Sequence, residues 1–456
     1  MSRYMYSKTE QQMNNVLVHH EKEIQEIKAK RENTDVKSAI DASVEILKSI
    51  GYEDRVLEVF NHPMRGEKNA ILLQSWTDIV EESEQQEGMN CKLEDLFSEE
   101  ELNKNSQEIK LLNKEFNSLH KLDKYDIAIS ALATIVGVIV DIVLIGIPEK
   151  GPDGLEAGTL SNFIRKKFNE VFSAEEMKKL ANSKKSKVSF DAQDNRNTTE
   201  YVEGLSAYYH RLLSLGHDPL LGFVFGVYDI MNGTMTTIDK SGKIVCQVME
   251  NYSDRKEIDI VSAIAKQIAH FKSDITTSMG LPAPLMGLFN LLQFGEFGEE
   301  EQTIAEIVQG MYYEGFDFIH FCSQSMSVIV IELIVRIGYA IKRIKEGNEV
   351  KDSIPISLNR DKHPKLATML FVSHAGASTL NAGKVYFKKN PMAINYSQWV
   401  AFANYLYKQF KWVIVQKPSL REEYIDGVLN SEIKMVTLET EALFREITQG
   451  RVVIFE

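Results

Sequence analysis

The sequence predicts a mainly α protein: a large helical core, a small β-hairpin and an amphipathic helical N-terminal region. Three observations lead there. Apolar residues make up 44% and charged residues 26% of 456, the balance of a globular chain with a large buried core. Apolar stretches recur at 125–148, 219–231, 281–294 and 326–341, as helices packed inside such a core require. Residues 1–124 instead scatter Val16, Ile24 and Ile27 among dense charges, which suits amphipathic helices with one buried stripe.

Taken in order, three regions follow. Residues 1–124 form the polar helical region, in which "DVKSAIDASVEILKSIG" predicts a helix ending on Gly51. This region suits a small bundle or a surface for a protein partner. Residues 125–345 form the apolar helical core. Its first stretch, "YDIAISALATIVGVIVDIVLIGIP", is long enough to cross a bilayer. Asp141 lies inside it, however, and a carboxylate at that depth is costly. Four apolar stretches of this kind, one interrupted by Glu332 and Arg336, read as inner helices of a soluble or peripheral protein.

After the turn-rich "PEKGPDG", eight basic residues against three acidic ones between Arg165 and Lys187 read as a solvated helix and loop. "SFDAQDNRNTTEYVEG" reads as loop. "GTMTTIDKSGKIVCQVM" alternates on either side of Ser-Gly and predicts the hairpin. Residues 346–456 are a C-terminal helical region ending in the strand-like "RVVIF". Within it, His374 in "FVSHAGASTLNAGK" reads as part of a tight turn against the core.

Several functions are disfavoured. A net charge of −13 gives no strong nucleic-acid signal. Cys91, Cys246 and Cys322 lack thiolate-cage spacing and suit a reducing compartment. No apolar signal region opens the sequence, so a cytoplasmic chain is expected, with membrane association at its periphery. Neither a Walker P-loop nor a Gly-x-Ser-x-Gly elbow occurs.

The chemistry concentrates in "YYHRLLSLGHDPLLGFVFGVYDIMNG" and "AKQIAHFKSDITTSMGLPAP". His210 and His217 are two helical turns apart, with Gly216 breaking the helix between them. Asp218-Pro219 reads as a helix cap followed by proline at the first helical position. His270 and Asp274, at i and i+4, share a helix face and offer a cation one imidazole and one carboxylate. Asp141 has no basic residue within a turn, so a cation or a distant side chain must meet it. Together these point to a metal site of Asp141, His210, His217, His270 and Asp274. Asp218 is then a catalytic or supporting carboxylate, and the cofactor a divalent metal, zinc by donor type. The other reading is a polar helix junction.

The order "GVIVDI", "HRLLSLGHDP", "HFKSDITTSMGLP" resembles the membrane-associated metal-dependent hydrolases related to zinc-dependent phospholipase C. By that pattern Asp141 is similar to the aspartate of the family's apolar helix. His210 with Arg211, and His217, resemble its paired histidines. His270 with Asp274 resembles its closing pair, followed by Thr276 and Gly280. The chain departs from the pattern where Val140 and Val143 replace a proline and a second aspartate, and where the paired histidines lie seven apart rather than five. The same "LGHDPLLG" and His-x-x-x-Asp elements look like those of uncharacterised bacterial proteins. The resemblance implies a hydrolase acting on a phosphoester or lipid. The competing expectation is a non-enzymatic helical interaction or effector protein, suggested by the 124 polar residues and the span-length segment.

Overall fold

In the computed structural model, residues 5–33, 42, 44–46, 48–49, 71–88, 90–151, 154–196, 198–277, 279–297, 301–448 and 453–455 are described. Of the helix expected to end at Gly51, residues 42, 44–46 and 48–49 are helical, and its end lies outside the described residues. Helix dominates the described residues, joined by three two-stranded sheets, so the mainly α class holds.

The chain divides into two compact units. One combines Met1–Ser118 with Pro418–Glu456. It contains α1 (Lys8–Asn33), α2 (Trp76–Glu87), most of α3 (Glu99–His120) and nearly all of the last helix, Lys417–Thr448. Strand Ile71–Leu73 pairs in parallel with Val453–Phe455, which explains the strand-like C-terminus. The second unit is Leu119–Lys417. A boundary at 345 therefore cuts through a unit instead of separating two.

Four long helices organise the second unit. The first, α4 (Lys124–Ile139), is capped by Asp123, whose carboxylate accepts from the amides of Tyr125 and Asp126, and continues as a π turn, Val140–Ile145. Next come α5 (Thr159–Val171) and α6 (Ala174–Ala181), then the short α7 (His210–Leu213), α8 (Phe225–Asn232), α9 (Ile260–Asp274) and α10 (Ile304–Tyr313). The other long helices are α11 (Phe318–Lys345), α12 (Leu366–Lys388) and α13 (Tyr396–Lys411). His374 lies inside α12, not in a turn. Small residues could serve a helix as well as a turn there, and packing against α4 and α13 decides for helix.

Helices α4, α11, α12 and α13 pack around Ala133, Ile331, Val335, Met369, Leu370 and Tyr405. The expected hairpin forms between Thr234–Ile238 and Ile244–Val248, antiparallel. Its turn is fixed by Asp239 Oδ1, which accepts from the amides of Ser241 and Lys243, and by Gly242 at φ +84°, a left-handed conformation that suits glycine. The apolar windows in Glu99–Ile145 and Phe318–Lys345 are long and apolar enough to cross a membrane by length and composition.

Candidate metal centre

The site is assembled from a loop, two helical turns and one helix. Helix α9 begins at Asp259, whose side chain caps the amide of Ser262, and its final turns carry His270 and Asp274 on one face. That face is turned inward: His270 is 2% and Asp274 5% exposed. His210 opens α7, and a 3-10 turn, Leu215–His217, delivers His217 beside it, with ring centroids 5.3 Å apart. Asp191 enters from the loop that follows Phe190.

Phe190 holds these pieces in register. Its ring is fully buried and meets His217 and His270 edge-on, at centroid distances of 5.0 and 5.2 Å. Gly216 permits this, because a Cβ there would come within 2.5 Å of the Phe190 ring. The Gly216 carbonyl accepts from Gln267 Nε2 at 2.7 Å, tying the His217 turn to α9.

Asp191, His217, His270 and Asp274 each offer a ligand atom, and these atoms all lie within 4.8 Å of one another. His217 Nε2 is 3.5 Å from Asp191 Oδ1 and 3.8 Å from Asp274 Oδ2, and His270 Nε2 is 3.5 Å from Asp274 Oδ2. Tetrahedral bonds of about 2.1 Å separate neighbouring donors by about 3.4 Å, so the spacing fits a small divalent cation. His210 Nε2 joins the rim, 3.2 Å from Asp191 Oδ1.

The orientation of the rings points the same way. His270 Nδ1 lies 3.0 Å from the Ser186 carbonyl, and His210 Nδ1 lies 3.0 Å from that of Ala207. Each contact assigns the proton to Nδ1 and leaves an Nε2 lone pair aimed inward. The Nε2 atoms of His210, His217 and His270 and Oδ2 of Asp274 are buried and make no aligned hydrogen bond. Buried polar atoms are ordinarily paired, and His217, His270 and Asp274 belong with Asp191 to the group that could hold a cation. The side chain of Asp191 is 38% exposed, which opens the site to solvent on that side.

The electrostatics agree. Burial pushes the His217 ring well below the usual histidine range despite its contact with Asp191, which favours the neutral ring, the form able to offer a lone pair. For Asp191 burial acts upward, but His210 and His217 outweigh it and hold the carboxyl well below its ordinary value. Arg211 Nε lies 3.0 Å from Asp274 Oδ2, and its guanidinium also donates to Thr277 Oγ1 and the Gly280 carbonyl. A fixed positive charge thus borders the site.

Two of the residues expected at the metal stand elsewhere. Asp141 is buried in the π turn, where Lys384 Nζ lies 2.8 Å from Oδ2 and Asn395 Nδ2 donates to Oδ1 at 2.8 Å. Its counter-charge is thus a lysine 243 residues further along. Asp218 Oδ1 accepts from the amides of Leu220 and Leu221, both at 2.9 Å, and Oδ2 accepts from that of Leu285. Both its oxygens accept from backbone amides, which makes it a cap. The helix it opens starts as a 3-10 turn and becomes α only at Phe225. Asp191, conversely, lies in a stretch read only as loop. Its one signal was an aspartate directly after a phenylalanine in "VSFDAQDN".

Comparison with family models, with curated proteins and with solved structures finds no match to this chain.

Proposed function

We propose that this chain is a metal-dependent hydrolase of phosphoesters, with its divalent cation, zinc by donor type, held by Asp191, His217, His270 and Asp274. The observation that carries the reading is the convergence of the His217 and His270 Nε2 atoms, buried and without an aligned hydrogen bond, with the carboxylates of Asp191 and Asp274, the His270 ring being held by the Ser186 carbonyl. Such a cation supplies Lewis acidity and a nucleophile from water near neutral pH. The chain's own residues do the rest. His210, at the rim beside Asp191, is placed to take or return a proton. Arg211 carries the charge that would meet a phosphoryl oxygen. The exposed edge of Asp191 marks the entrance. The resemblance of "HRLLSLGHDP" and "HFKSDITTSMGLP" to the zinc-dependent phospholipase C relatives supports the same class and suggests a lipid phosphoester.

The test is hydrolysis of an aromatic phosphodiester and of phosphatidylcholine vesicles by the full chain. The account expects turnover that a chelator abolishes, that zinc or manganese restores, and that His270→Ala lacks. Activity unaffected by chelator and by His270→Ala would refute it. A second reading, docking of a protein partner on the first unit, is favoured by an open apolar groove lined by Phe97, Leu429, Ile433, Val436 and Phe444. Loss of a co-purifying partner on Ile433→Glu would support it, and unchanged co-purification would dismiss it.

A further inference from the structure

In water, the hydrophobic effect turns apolar side chains inward and polar ones outward. The bundle of α4, α11, α12 and α13 buries an apolar core but also turns a band of large apolar side chains outward. Ile127, Leu132, Ile135 and Ile139 of α4, with Leu333 and Ile337 of α11, are each more than half exposed. Only 22% of the most apolar 18-residue window in Glu99–Ile145 is buried, and 39% of that in Phe318–Lys345. Beside the apolar core, polar side chains bond across the helices inside. Thr134 Oγ1 donates to the Ser373 carbonyl at 3.0 Å and Ser373 Oγ to that of Ser130 at 3.2 Å. Asn395 Nδ2 reaches Ser327 Oγ at 2.9 Å, and Gln398 Nε2 reaches the His374 carbonyl at 3.1 Å. Close helix approach rests on small residues: a Cβ at Gly137 would lie 2.5 Å from Ile331, and one at Gly338 2.7 Å from Ile129. Small contact residues and hydrogen bonds across helices are how helices pack in lipid, where apolar burial drives nothing.

The dimensions and the ends agree. At about 1.5 Å per residue, α4 with its π turn is about 33 Å long and α12 about 35 Å, against a hydrocarbon core of about 30 Å. Charges gather at the two ends. At one, Lys342 and Lys365 pair with Asp123 and Asp126. At the other, Lys384 pairs with Asp141. Between Leu366 and Gly383, α12 carries no Asp, Glu, Lys or Arg. On α11 the two charges within the band, Glu332 and Arg336, pair with each other at 2.7 Å, as intramembrane charges do. Exposed Tyr125 and Tyr407 ring the first end, and Tyr386 and Phe387 the second, as interfacial aromatic belts do.

We infer that α4, α11, α12 and α13 form a transmembrane four-helix bundle whose exposed apolar band is covered by a lipid bilayer. The ion pairs fix the direction of α4, α11 and α12, and Asn395, which caps α13 and donates to Asp141, fixes that of α13, so the chain crosses four times. Leu119 and Lys417 emerge at one face, and the metal centre, between the first and second crossings, lies at the other. This stands on the bundle alone, whether or not the centre is catalytic.

The test begins with the unaltered full chain expressed in bacteria: it should pellet with membranes and resist alkaline carbonate. In a background with Cys91, Cys246 and Cys322 changed to serine, Ile135→Cys and Lys185→Cys are then treated with a water-soluble maleimide. The expected result is labelling of Lys185→Cys in broken membranes and of Ile135→Cys only after denaturing solubilisation. In sealed vesicles, Lys185→Cys and Lys121→Cys should label from opposite sides. A chain that stays in the supernatant as an oligomer, the band covered by a second copy, would overturn the inference. So would equal labelling of Ile135→Cys and Lys185→Cys before solubilisation, or same-side labelling of Lys185→Cys and Lys121→Cys.

Discussion

The Nδ1 atom of His270 lies 3.0 Å from the carbonyl oxygen of Ser186, 84 residues earlier in the chain. The contact sets the ring's tautomer and rotation before any cation arrives, and Ala207 does the same for His210. The cost of ordering these rings is met on folding, which is the condition for a site of high affinity.

Gly216 keeps the rings in register through Phe190. Gly216→Ala should push the Phe190 ring aside and shift Asp191, His217 and His270 together. We expect an overpacking cost of about 1–3 kcal/mol and metal affinity lower by about 10–100-fold, as for other supporting-residue changes. Isothermal titration with zinc, beside a circular dichroism spectrum showing retained helix, checks it. Unchanged affinity would separate Phe190 from the site.

Asp218 holds three backbone amides and touches no cation donor. Asp218→Ala should cost about 1.5–4.5 kcal/mol, from three hydrogen bonds of about 0.5–1.5 kcal/mol each, with metal stoichiometry unchanged. A denaturation midpoint measured beside elemental analysis separates this from a catalytic role. Loss of activity at full stability would contradict the capping assignment.

Asp141 and Lys384 are a buried pair, their side chains 7% and 11% exposed. Lys384→Met strands the carboxylate and should cost about 3–5 kcal/mol. Adding Asp141→Asn should recover much of that, because both charges are then gone. Thermal melts in detergent report the difference. Metal content should be the same in all three proteins.

Burial depresses the His217 pKa, so the folded chain refuses a proton that the unfolded chain accepts below about 6.5. Stability of the chelated protein should therefore be full above that pH and fall as pH drops below it, by up to about 1.4 kcal/mol per unit. Melting at pH 7.5 and 5.5 tests this, with His217→Gln expected to flatten the difference. A wild-type melt that rises toward pH 5.5 would contradict it.

What the sequence disclosed follows from how local each signal is. The hairpin was legible because Ser241 and Gly242 carry the turn chemistry between two alternating runs. The shared face of His270 and Asp274 was legible because i, i+4 spacing is a property of one helix. Asp141 was legible as an anomaly, but its partner Lys384 comes from a helix more than two hundred residues away, which no local pattern reveals. Asp191 gave no periodic signal, since a loop residue is placed by what its neighbour Phe190 packs against. The apolar stretches gave no sign of the hydrogen bonds inside the bundle for a related reason: such stretches look alike until the partners of Ser130, Thr134 and Asn395 are known. The packing of α11 on α12 and α13 likewise joins regions that composition alone divides at 345.

The most direct test of the metal centre is the metal content of the purified full chain, stripped with chelator and reloaded with zinc. Wild type and Asp141→Asn should each retain near-stoichiometric zinc after desalting, while His270→Ala and Asp274→Asn should fall to background. Wild type at background, or equal zinc in all four proteins, would contradict the metal centre.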